Sequence, residues 1–99
     1  MAYAWQARHG LTGAQYQTEF DRLVAQGYRL IDINGYSVNG IERYAAIWEQ
    51  SPGPDWQARH GLTAIEHQQL FSTLTVEGYR PVIVSGYESG GSAHYASLW

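Results

Sequence analysis

The chain has 99 residues, is 44% hydrophobic with 14 aromatics, and carries a net charge of −3. That content supports one small packed domain rather than disorder, and an acidic balance without a basic patch points away from nucleic acid. With no cysteine and no lysine, disulfides, thiolate nucleophiles, cysteine-rich zinc sites, Schiff-base lysines and P-loop lysines are all closed, and no cofactor is expected.

No apolar run approaches the length of a membrane span, and the N-terminus has no signal-peptide segment. The expectation is a soluble chain without a membrane partner, its compartment left open.

From Trp5 onward the chain contains the same unit twice, at an offset of 51. Trp5-Gln-Ala-Arg-His-Gly-Leu-Thr12 returns unchanged as Trp56-Gln-Ala-Arg-His-Gly-Leu-Thr63, and 20 of 44 aligned positions are identical. A repeat of this kind buries its apolar face against its own copy. Residues 5–48 form the first copy, 49–55 link the two around Ser51-Pro-Gly-Pro54, and 56–99 form the second.

Each copy opens with a capping box, Thr12 with Gln15 and Thr63 with Glu66, which predicts a helix starting there. Tyr16, Phe20, Leu23 and Val24 make one apolar stripe. In the second copy His67, Phe71, Leu74 and Thr75 make a weaker one, supported by Ile65, Leu70 and Val76. Gly27 and Gly78 predict left-handed stops.

A β-branched run follows, 28–34 and 79–85, with the Ile31 and Ile33 face expected beneath the helix. After a turn at 37–40 or 88–91, a second strand covers 42–48 or 93–99. The fold class is therefore α+β: two tandem helix–strand–strand repeats in a single domain, with antiparallel hairpins packed against two helices. The hairpins either join in one sheet or face each other across a pseudo-twofold.

Trp5 to Thr12, Tyr16-Gln17, Phe20-Asp21, Leu23-Val24, Gly27 to Arg29, Gly35-Tyr36 and Arg43 to Trp48 make a long pattern that resembles the bacterial tandem repeat domain 1 family. The second copy departs from it at His67, Ser72, Thr73 and His94, where the pattern has Tyr, Asp, Arg and Arg. The resemblance implies repeats like those in the amino-terminal half of fungal polyglycine hydrolases, which precede a serine hydrolase domain resembling a β-lactamase. It implies an accessory, non-catalytic role in substrate or surface recognition.

Two groups of residues are candidates for a site. Arg8, His9, Arg59 and His60 recur in identical settings before each helix. They either make polar sites, with histidines able to act as acid/base groups or metal ligands, or tie the incoming chain to a neighbouring hairpin. His67 and His94 are not repeated features, and no metal site is expected. Serines such as Ser37 and Ser85 lack a nucleophile-elbow context.

Tyr44, Trp48, Tyr95 and Trp99 are the second group. They form either a stacking platform for sugar or peptide or the core of the repeat, because hairpin register does not follow from loop length alone.

Three functions follow: a non-enzymatic recognition or scaffolding module for glycan or peptide, a purely structural self-assembling repeat, or a small hydrolase using His9 or His60. A two-repeat array leaves open ends, so association into a closed homo-oligomer is expected.

Overall fold

A computed structural model describes residues 3–99. Each copy has the order strand, helix, strand, strand: β1 (Trp5–Leu11), α1 (Gly13–Ala25), β2 (Arg29–Val38) and β3 (Ile41–Glu49), then β4 (Ala58–Thr63), α2 (Ala64–Val76), β5 (Ile83–Ser89) and β6 (Ser92–Leu98). The hairpins do not merge. They form two antiparallel three-stranded sheets of order β1-β3-β2 and β4-β6-β5. Among the described residues no helix is long and apolar enough to cross a membrane.

The leading strands β1 and β4 extend the helix–strand–strand pattern expected from sequence. Each is interrupted by a register shift, between Arg8 and Leu11 or between Arg59 and Leu62. The glycine inside each shift, Gly10 or Gly61, has φ +68. A bulge there needs a left-handed residue, which is why glycine stands at that place in both copies.

Helix chemistry follows the sequence closely. Both capping boxes form, with the threonine side chain accepting from the N3 backbone and the Gln or Glu side chain reaching back to the cap. At the other end Tyr28 N–H bonds the Leu23 carbonyl at 3.0 Å and Gly27 N–H bonds that of Val24 at 3.0 Å, a Schellman stop repeated at Tyr79 and Gly78. Tyr16 and Leu23 of α1 are buried, but α2 buries Leu74 alone. Ile65 and Val76 are exposed and take no part in the second stripe.

In β2 a bulge between Leu30 and Asp32 shifts the side-chain phase. Leu30, Ile33 and Gly35 therefore pair with Trp48, Ala46 and Tyr44, and all six are buried. Ile31 is displaced to 37% exposure, so the expected Ile31/Ile33 face does not form. In the second copy the strand starts later than expected, at Ile83, beyond Pro81. Proline has no N–H to give a ladder.

The copies stack asymmetrically. α1 covers the face of β3 that carries Tyr44 and Trp48, with Tyr16 stacked on both rings at centroid distances of 5.3 and 6.0 Å. α2 covers the equivalent face of β6, with His67 against Tyr95 and Trp99. The opposite face of the second sheet, carrying Tyr87, Ala96 and Leu98, joins the core of the first copy beside α1. The back of one sheet thus lies on the front of the other.

Candidate functional site at the joint between the copies

At the centre of the joint, four groups form one directed hydrogen-bond chain. Gly61 N–H donates to the Tyr87 hydroxyl at 2.9 Å, that hydroxyl meets the hydroxyl of Tyr44, and Tyr44 donates to a Glu42 carboxylate oxygen at 2.6 Å. Each oxygen has its donor and each proton its acceptor, so the polar groups are satisfied although largely buried. Burial first, then the Glu42 carboxylate, holds the Tyr44 phenol far above its ordinary pKa. Tyr87 and Tyr16 are also raised, chiefly by burial. These phenols keep their protons near neutrality, so the chain is a clasp of protonated phenols between the copies.

Around the clasp, Ser85 accepts from the Gly35 N–H at 2.9 Å and donates to Asn34. Ser37 donates to Glu88 at 3.0 Å, and Gly90 N–H reaches the Gly40 carbonyl at 2.9 Å, pinning one hairpin tip to the other. The hydroxyls of Ser37 and Ser85 thus bond carboxylate, amide or backbone, with no imidazole among their partners in the described residues.

The structure separates the residues singled out from sequence. Tyr44 and Trp48 have no exposed surface and Trp99 is 4% exposed, so three of the four platform candidates are core. Tyr95 is half-buried against His67. Trp48 Nε1 has no hydrogen-bond partner among the described residues, whereas Trp99 Nε1 donates to Ser97 at 2.8 Å. Position 46 is alanine where position 97 is serine, and that one difference explains the contrast.

The repeated Arg-His pairs also diverge. Arg8 bonds Glu19 at 3.0 Å, which ties β1 to α1; Arg22 holds the same carboxylate at 2.8 Å. Hydrogen bonds from Arg22 and Arg8 lower the Glu19 pKa. In the second copy the position of Glu19 is Leu70. Arg59 accordingly bonds only the Gln57 side chain and the Ala58 carbonyl, and has no carboxylate partner among the described residues.

His9 is exposed, while His60 lies edge-on to Tyr16 at 4.7 Å and to Tyr44 at 5.2 Å. Burial lowers the His60 pKa, opposed by the Glu42 carboxylate. Among the described residues no group of three or more His, Asp or Glu is placed to hold a metal ion.

Beside the clasp an open cleft of about 500 Å³ runs along α1, lined by Tyr16, Gln17 and Phe20 on one side and Trp56, Arg59 and His60 on the other. A second cleft continues it past the linker, sharing Val24, Trp56 and Gln57. Sequence reasoning named Arg59 and His60 but missed Trp56, Phe20 and Gln17, because only the stacking of copies places them together. The signal available was the recurrence of Trp5 as Trp56 beside each Arg-His pair.

Residues 2–51 and 53–99 each match BTRD1, the polyglycine hydrolase-like structural repeat, and the chain belongs to that family.

Proposed function

We propose that the chain is a non-enzymatic recognition and scaffolding module that holds an extended glycan or peptide segment across the joint between its copies. One observation carries this reading: Arg59 faces the joint cleft without the carboxylate that locks its counterpart Arg8. A guanidinium with donors to spare, next to the Trp56 ring and the Gln17 and Gln57 amides, suits hydroxyl- and carbonyl-rich chains. The continuous cleft favours an extended ligand over a compact one.

Isothermal titration with oligosaccharides and with glycine-rich peptides tests it. One ligand class binds, Arg59→Ala weakens binding by about tenfold or more (about 1.4 kcal/mol), and Arg8→Ala leaves it unchanged. Equal effects of the two variants would refute the cleft, and absence of heat from both classes would refute the recognition role.

A second reading, a purely structural repeat, rests on the burial of Tyr44, Trp48 and Trp99, which spends the large aromatics on the core. Under it no ligand class binds, and Trp48→Ala unfolds the chain.

A further inference from the structure

The internal joint has two unlike faces, and each has an unused counterpart on the outside of the molecule. The first copy offers the front of its sheet: Ile33, Gly35 and Tyr44, with Phe20 on the flanking helix. The second offers the back of its own sheet: Tyr87, Ala96 and Leu98, with Trp56 alongside.

The contact is not reciprocal. Phe20 meets Trp56 at 5.7 Å and Tyr44 meets Tyr87 at 5.4 Å. No matching ring contact joins Trp5 to Phe71, or Tyr36 to Tyr95, among the described residues. A twofold would require those mirrored contacts.

The outer counterparts carry the same or similar side chains, Asp32 apart, in an uncovered state. On the front of the second sheet, Gly86 is exposed where Gly35 is buried, and Val84 is 51% exposed where Ile33 is 1%. Tyr95 is half-buried where Tyr44 is fully buried, and Phe71 stands exposed against Trp99.

On the back of the first sheet, Tyr36 is half-buried where Tyr87 is buried, and Ala45 and Ile47 are half-buried where Ala96 and Leu98 are buried. Trp5, the counterpart of Trp56, is 64% exposed. Tyr36 is already held in the pose of Tyr87: Gly10 N–H donates to its hydroxyl at 2.9 Å, as Gly61 N–H does to Tyr87.

From this we infer that the back of the first sheet docks on the front of the second sheet of another copy of this chain, head to tail, with Tyr36 over Gly86. The occupant is a second copy because each outer face of the chain is itself the complement of the other outer face. Such a contact is heterologous, so it yields a ring where the rotation closes and a filament where it does not. Asp32 stands where the internal joint has Ile83, and burying a carboxylate there makes the outer joint weaker than the inner one.

Sedimentation velocity from micromolar to millimolar concentration tests the inference on the intact chain. The wild type shows a mass that rises with concentration. Gly86→Ala blocks the front face, since a Cβ at the equivalent Gly35 would overlap the Tyr87 ring. Ala45→Arg blocks the back face. Each variant alone is a monomer with unchanged Tm, and an equimolar mixture of the two restores a discrete dimer, because each keeps the face the other lost. A wild type that stays monomeric at millimolar concentration overturns the proposal. So does association that survives both variants, or a mixture that remains monomeric.

Discussion

The ring of Tyr87 occupies the space that a side chain on Gly35 would need. This close approach lets the second sheet settle on the first, and it makes position 35 the most sterically restricted point of the joint. Gly35→Ala forces either the ring or β2 to move, an overpacking cost of about 1–3 kcal/mol. Gly86→Ala meets only the edge of the Tyr95 ring, Cε1 at 3.3 Å and Cδ1 at 3.6 Å, and leaves stability nearly unchanged. Urea unfolding of the two variants measures the difference. Equal midpoints would show that Tyr87 does not pack on Gly35 in solution.

Tyr36 and Tyr87 make the same bond to a glycine N–H, but only Tyr87 goes on to meet Tyr44 and Glu42. Removing the Tyr87 hydroxyl takes away the group that the buried Tyr44 hydroxyl meets, at about 1–3 kcal/mol. Removing that of Tyr36 frees an exposed N–H that water can serve. Tyr87→Phe should therefore lower Tm clearly and Tyr36→Phe very little, as calorimetry would show.

Helices, caps and turns were legible in the sequence because each depends on residues a few positions apart. Thr12 with Gln15, the stop at Gly27, and the Asn39-Gly40 turn with positive φ at both residues all formed as their local chemistry dictates. The inward face of the hairpin was not legible, since loop length does not fix its register and a bulge at Ile31 decides which β2 residues share a face with Tyr44 and Trp48. β1 was hidden because Gly10 breaks its alternation. The site was half visible: Arg59 and His60 stood out, but their difference from Arg8 and His9 arises from Leu70 replacing Glu19 and from contacts between copies.

The indole of Trp48 offers a direct test of one-residue compensation between the copies. Ala46→Ser supplies the acceptor that Ser97 gives Trp99 at 2.8 Å. One neutral hydrogen bond is worth about 1 kcal/mol, or about 4–8 °C in a domain of this size. Ser97→Ala should cost about 1–3 kcal/mol by stranding the Trp99 N–H. If Ala46→Ser lowers Tm instead, the site has no room for the hydroxyl and Trp48 finds another partner.

Acid sensitivity should centre on the two histidines that enter the core. His60 faces Tyr16, Tyr44 and the Glu42 carboxylate, and His67 packs on Tyr95 and Trp99. Burial lowers both pKa values below 6.5. The unfolded chain therefore binds protons first as pH falls, and the contribution of the neutral rings is complete above about pH 6.5 and lost below it.

Glu19, lowered by Arg22 and Arg8, and Glu66, lowered by Thr63, act in the same direction but only near and below their ordinary value of 4.5. The wild-type Tm should thus decline between about pH 6.5 and about pH 5. In a His60→Gln, His67→Tyr double variant the decline should disappear over that interval, whatever the absolute Tm. The second change restores the residue that the first copy has at Tyr16. An undiminished slope in the double variant would place the acid response on other groups.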